Sequence, residues 1–347
     1  MNYNTADKWL AASLATAVML CVLSPSALAA GATKLYGCTV ITEPGSYLLA
    51  TDIVVDQTCA SSEDPDNAFV GIQIAASDVH VNLGGHTIYG DPAGYGTGFA
   101  RGVDTTGSAV QVNVRVSNGT VDGLGAIGDG IYIQGAKQVS ITNVHSTGNL
   151  RFGMGMVFCE DCSVTGSAFY ENGNAGIQTV FGGRDADGDE VVDGGVRLVG
   201  NEFRDNANSN GLTIGFFPGV HEIIGNKFTG NFRGVGEFIT PPSPVGHVIQ
   251  ANEFRGNLSG GLRLCSSENT VRGNKVLENG GSGVEIAGGC FFFPTPAGTG
   301  SVIQANVSRG NAGFDMADQN ASCSNQWKAN TFGTDSEGDG PKSGCIR

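Results

Sequence analysis

Basic side chains are scarce in this chain: 19 Lys and Arg stand against 33 Asp and Glu, a formal charge of −14. Nucleic acid and anionic membrane surfaces repel such a chain and are set aside as partners, while neutral glycans, cations and basic proteins stay open. Long apolar runs are absent after residue 30, so no segment there can span a bilayer. No stretch combines helical length with a 3.6-residue period. Glycine contributes 55 residues without the three-residue period of collagen, and an apolar share of 40% is too high for a disordered chain. The glycines therefore belong to turns.

What is present is a repeat. A glycine followed by an apolar, a variable and usually another apolar residue opens frames at Gly71, Gly102, Gly130, Gly153, Gly176, Gly211, Gly234, Gly261, Gly283 and Gly313. The minimal unit is 22 to 23 residues, interrupted by insertions of variable length. Such a period implies stacked units that bury a core only against their neighbours. A second phrase joins Gly or Ala to Asn, with another Asn five residues on, as in Gly225-Asn226-Lys227-Phe228-Thr229-Gly230-Asn231. Each coil then holds three short strands separated by Gly and Asn, residues that tolerate left-handed backbone. Aligned coils place Phe169, Phe203, Phe228 and Phe254 at one inward position, continued by Val276 and Phe332. Val164, Leu198, Ile223, Ile249, Val271 and Ile303 share another. The paired asparagines are expected to bond along the stack as scaffold. Glu202, Lys227, Glu253 and Lys275 alternate in sign on an exposed ladder, a solvated face with no catalytic expectation.

Lys8, an apolar stretch from Trp9 to Leu23 and Ala27-Leu28-Ala29 read as a secretory signal over residues 1–29. Residues 30–70 are expected to form an N-terminal cap, 71–334 the repeat and 335–347 a C-terminal tail over the last strand edges. Export leaves eight cysteines, which suggests disulfides. Of 105 connectivities, the simplest joins nearest neighbours: Cys38 with Cys59, Cys159 with Cys162, Cys265 with Cys290, and Cys323 with Cys345. Three of these would each close about one coil, contributing roughly 3 kcal/mol on a chain-entropy model. The two-residue spacing of Cys159 and Cys162 lacks the βαβ context of a redox motif and reads as a structural clip.

With the glycine frame, the Asn phrase, an opening Ile41-Thr42-Glu43-Pro44-Gly45-Ser46-Tyr47-Leu48-Leu49 and the run Asp78-Val79-His80-Val81-Asn82-Leu83-Gly84-Gly85-His86-Thr87-Ile88, the chain resembles exported right-handed parallel β-helix repeat proteins of the pectate-lyase-like superfamily. The resemblance covers about residues 37 to 334. It implies an all-β solenoid of about ten coils with three short strands per coil, in the periplasm or secreted. Polysaccharide lyases, glycoside hydrolases, uronan C5-epimerases and phage tailspikes share this shape, so the fold does not choose a function. The Asn-Thr-Asp, Gly-His-Gly and Arg-x-Lys strings of the polygalacturonase-like branch and the Asp-Pro-His of the epimerase-like branch are missing.

Insertions mark where a rigid scaffold leaves room for function. The longest runs from Gly182 to Gly195 and carries Asp185, Asp187, Asp189 and Asp193, spaced as candidate Ca²⁺ ligands, against a merely solvated acidic loop. Phe181, Phe216, Phe217, Phe291 and Phe292 cluster at the same corner as a candidate sugar platform, against the reading that they glue the inserts to the solenoid. His145 and Arg151 near Asp122 and Asp129 form a weaker acid/base grouping, and His80 and His86 lack the partners of a metal site. The expectation is an exported module that binds polysaccharide or a cell-surface partner along this corner. The alternative is a calcium-dependent lyase or C5-epimerase acting on uronic-acid polymers.

Overall fold

The computed structural model describes residues 31–59, 68–91, 99–107, 109–125, 127–180, 195–216, 219–238, 246–290, 296–320, 322–338 and 344–346. Among them there is no helix, and the ladders between strands are parallel throughout. One sheet stacks the glycine-frame strands eleven deep from Thr39–Ile41 to Met316–Asp318. A second carries the Val/Ile strands from Thr33–Leu35 to Gln326–Lys328, and a third the Phe strands from Ile53–Val55 to Val307–Arg309. The long strands Val114–Asp122 and Ser140–Thr147 run through the corner and belong to both of these. The chain is a parallel β-helix.

Inward ladders stand as the repeat spacing predicts. Phe169, Phe203, Phe228 and Phe254 pair in register, with ring centroids 5.5, 4.6 and 4.8 Å apart, and Val276 follows. Two serines interrupt the row: Ser146 precedes Phe169, and Ser308 lies beyond Val276. Each hydroxyl is satisfied inside the core, Ser146 donating to the Gly153 carbonyl at 2.7 Å and Ser308 to that of Asp315 at 2.6 Å. The aliphatic ladder runs from Val81 through Val164, Ile223 and Val271 to Trp327. Glu202, Lys227, Glu253 and Lys275 also stand in register.

The frame glycine is required by space. A Cβ built at Gly153, Gly176, Gly211 or Gly234 lies 2.4 to 3.0 Å from a Phe ring carbon and 2.5 to 3.0 Å from the carbonyl oxygen of the next frame glycine. The last frame shifts: Val284 pairs with Met316, so Asp315, not Gly313, occupies that position.

Two corners are held by asparagine ladders. Asn226 Oδ1 accepts from the backbone and side-chain amides of Asn201 (2.8 and 3.0 Å), and Asn226 Nδ2 donates to the Leu198 carbonyl (2.9 Å) and Asn252 Oδ1 (3.1 Å). Every hydrogen-bonding site of that buried amide is used, which removes the 1–3 kcal/mol or so that an orphaned polar group costs. The second ladder climbs from Asn149 to Asn311 and ends on Asp315 Oδ1 at 2.9 Å. The residue before each ladder Asn takes a left-handed turn; Gly200, Gly225, Ala251, Gly273 and Ala305 have φ between 55° and 66°.

The segment expected as a cap takes part in the stack: Thr33–Leu35 pairs with Gly45–Leu49, and Thr39–Ile41 with Phe69–Ile74. At the other end Asp335 bridges to Met316 and Ile346 is buried. Disulfides join Cys38 to Cys59, Cys159 to Cys162, Cys265 to Cys290 and Cys323 to Cys345. The Cys159–Cys162 bridge clips a corner with only Asp161 between strands, where other coils carry inserts.

That third corner uses a mixed ladder. The His221 backbone amide donates to His247 Nδ1 (3.0 Å), that of His247 to Asn269 Oδ1 (3.1 Å), and that of Asn269 to Ser301 Oγ (3.1 Å). His221 Nδ1 accepts from the Val196 amide and Nε2 lies 3.0 Å from Thr179 Oγ1, which assigns the neutral ring with its proton on Nε2. Glu237 is buried beside this corner, accepting from the Cys265 and Ser266 amides (2.6 and 2.8 Å) and standing 3.1 Å from His247 Nε2. Burial, then the neighbouring His247, holds the His221 pKa well below 6.5. The bonds from His247, Ser266 and Cys265 outweigh burial at Glu237 and hold its pKa below 4.5.

Both shifts have the same sign. An unfolded His221 binds a proton that the folded ring refuses, so its contribution is full above pH 6.5 and declines as pH falls from there; that of Glu237 is lost below pH 4.5. The His221 component amounts to about 1.4 kcal/mol per pH unit within its window. Melting temperature measured from pH 7.5 to 5 should fall in the native protein and change less in His221→Asn, which keeps the side-chain acceptor that Asn269 supplies in the same ladder. Equal slopes for the two proteins would contradict a neutral, buried imidazole.

Candidate functional site

Alternation along a frame strand sends the first and third residues after the glycine into the core and the second to the outer face. The inward rows contain Ile131 with Ile133 and Leu212 with Ile214. The outward row contains Tyr132, Gln178 and Thr213, joined by residues that precede the frame glycine, such as Asp129 and Phe152. On this face Phe152, Asn174, Gln178, Ser209, Thr213, Gly215, Phe216 and Phe238 line a cleft of about 260 Å³. Four coils supply three phenylalanines, two amides and two hydroxyls, and none of the described lining side chains ionises.

Phe216 holds an unusual backbone. Its φ is 39°, a left-handed conformation costing a non-glycine residue roughly 1–2 kcal/mol, and its amide donates to the Phe238 carbonyl at 3.0 Å. Phe158, at the same corner, has φ 53°. The register places Val157 beside Val180 and Val180 beside Gly215. Of the two phenylalanines, Phe216 lines the cleft, and strain at a bulky residue there points to use.

One end of the face is charged but internally neutralised. Arg151 Nε donates to Asp129 Oδ1 at 2.7 Å, its Nη2 bonds Asp129 Oδ2, and the Phe152 amide donates to Oδ1 at 3.3 Å. Burial raises the Asp129 pKa above its ordinary value, although Arg151 opposes it. One coil below, Arg101 Nη1 donates to Asp104 Oδ2 at 3.0 Å and its guanidinium lies 3.8 Å from the Tyr132 ring centroid. Further up, Arg263 and Glu285 approach to 3.6 Å.

Of the residues singled out in sequence, Phe216 lies in the cleft. Phe181, Phe217, Phe291, Phe292, Asp185, Asp187, Asp189 and Asp193 fall outside the described residues. The four-residue acid/base grouping separates: Asp129 and Arg151 pair on the frame sheet, while His145 and Asp122 face solvent on the Phe sheet, His145 edge-on to Tyr170 at 6.5 Å. His80 meets Ser117 and His86 meets Asp52, so neither joins a metal cluster among the described residues. Cys323, Glu337 and Cys345 lie close together, but the two sulfurs are bonded to each other.

Sequence reasoning missed Phe152, Gln178, Thr213 and Phe238. A signal existed: Gln178 and Thr213 each stand two places after a frame glycine, the outward position, and Phe152 precedes one. A larger hollow of about 490 Å³ lies on the Val/Ile face, lined by His80, Asn113, Arg115, Ser117, Ser140 and Ser163 among others. Its described lining contains no Phe, Tyr or Trp ring. The smaller cleft has both a ring platform and convergent polar groups.

No protein-family model matches the chain, and no curated protein matches it. Solved structures do. The mannuronan C-5 epimerase AlgE4 A-module of Azotobacter vinelandii aligns over 83% of this chain and 86% of its own, at 13% identity and TM-score 0.58. A mutant of the periplasmic alginate epimerase AlgG aligns over 84% and 70%, at 13% identity and TM-score 0.59. A mutant tailspike of Escherichia coli bacteriophage HK620, in complex with a pentasaccharide, aligns over 83% and 55%, at 11% identity and TM-score 0.58. With these neighbours and the parallel ladders above, the chain is a right-handed parallel β-helix protein.

Proposed function

We propose that this protein is an extracytoplasmic polysaccharide-binding module whose binding surface is the outer face of the glycine-frame sheet, centred on Phe152, Phe216 and Phe238. The observation that carries the reading is the cleft itself. Rings offer apolar faces to the C–H side of a sugar, and Gln178, Asn174, Thr213 and Ser209 present donors and acceptors to its hydroxyls. The cleft crosses four successive coils, which suits an extended polymer. Four disulfides fit an oxidising compartment. The pentasaccharide on one structural neighbour and the mannuronan and alginate in the names of two others are in keeping with this reading.

A second reading, an enzyme acting on uronic-acid polymers, draws on the Asp129–Arg151 pair at the end of the face. Asp129 is fully buried and both of its oxygens are engaged. Binding therefore comes first.

Phe216→Gly separates binding from folding. Glycine accepts the left-handed backbone at no steric cost, so melting should change by no more than a few degrees. Retention on the recognised polysaccharide should drop by about tenfold or more, as expected when a buried aromatic anchor is lost. Unchanged retention in a folded variant would remove the cleft from the reading.

We also take Asp185, Asp187, Asp189 and Asp193 as candidate Ca²⁺ ligands, since closely spaced carboxylates between glycines match what that ion requires. Adding Ca²⁺ should raise the melting temperature of the native protein and leave Asp187→Ala/Asp189→Ala unmoved. Superimposable native curves in Ca²⁺ and in chelator would end the calcium proposal.

A further inference from the structure

We infer that the polymer bound in the frame-sheet cleft is a neutral glycan. This rests on the binding reading above and adds the class of ligand. Among the described residues the cleft lining holds no ionisable side chain, and its polar groups are two amides and two hydroxyls. Such groups exchange hydrogen bonds with sugar hydroxyls in both directions, but they do not neutralise a carboxylate or sulfate.

Among the described residues, three of the arginines around the cleft are already paired. Arg151 directs Nε and Nη2 to Asp129, Arg101 is paired with Asp104, and Arg263 lies against Glu285. An acidic polymer entering the cleft would give up water around its anionic groups without meeting a cation in the described lining, and the −14 charge of the chain opposes its approach. A neutral polymer bears neither cost. The cation nearby without a carboxylate partner among the described residues is Arg233. It sits one coil above Asn210, donates to Ser259 Oγ at 3.2 Å and lies 5.7 Å from the Phe232 ring. It gives the test an internal control.

Affinity electrophoresis of the mature native protein decides the matter at low ionic strength, where charge effects are largest. The gels carry neutral galactomannan, neutral mixed-linkage β-glucan, polygalacturonate, or the neutral galactan made by reducing the carboxyl groups of polygalacturonate. The expected result is retardation by at least one neutral polymer, lost in Phe216→Gly, with polygalacturonate binding at least about tenfold more weakly than its reduced counterpart. Stronger binding to polygalacturonate than to its reduced form, abolished by Arg233→Gln, would overturn the neutral class and keep the glycan reading. Retardation by none of the four would overturn the glycan reading and this inference together.

Discussion

Consecutive frame strands approach so closely at their first residue that a Cβ there would overlap both a Phe ring and the carbonyl of the next coil. Much of the structure depends on that contact. With glycine in place the coil closes onto the ring layer, the rings stack, and each strand meets its equivalent in the next coil at the hydrogen-bonding distance of a parallel sheet, about 4.8 Å. Fixing that register fixes the rest: alternate residues face out of the frame sheet, and the two asparagine rows meet their counterparts head to tail. A larger residue at Gly234, whose Cβ would lie 2.4 Å from a Phe254 ring carbon, has to push the ring or the coil away.

Polar satisfaction governs the corners. Asparagine suits two of them because one side chain both accepts from the coil before and donates to the coil after, so a row of any length leaves no orphan except at its ends. The ends are handled individually, the upper one by Asp315, whose Oδ1 takes Asn311 while Oδ2 accepts from the Gly333 amide at 2.8 Å. The third corner, interrupted by inserts, draws instead on His221, His247, Asn269 and Ser301. The buried His221 imidazole gives that corner a response to pH that an amide would not. Uncharged lining and spent charges make the neighbouring cleft a place for hydroxyls and rings.

Much of this was legible in the chain because a solenoid turns sequence spacing directly into contact. The Phe row from 169 to 254, the Ile and Val row from 164 to 303 and the Glu/Lys row from 202 to 275 needed only alignment of the coils. Ser146 and Ser308 were hidden because a lone serine in an apolar row satisfies itself on a carbonyl seven residues away, which no periodicity announces. Gly313 misled because an extra turn before Asp315 displaces the frame by two residues. The mixed corner escaped because its residue type changes from coil to coil, His221, His247, Asn269 and Ser301, although each stands five residues before a ladder Asn. Phe152 and Phe238 precede and follow different frame glycines, so only the folded coils bring them to one cleft with Phe216.

A crystal structure of the protein with a bound neutral oligosaccharide tests the central claim most directly. The account predicts sugar rings against Phe152, Phe216 and Phe238, with hydroxyls bonded to Gln178 and Thr213. An oligosaccharide seated instead on the Val/Ile face, against Arg115, Ser140 and Ser163, with the frame-sheet cleft empty, would contradict it.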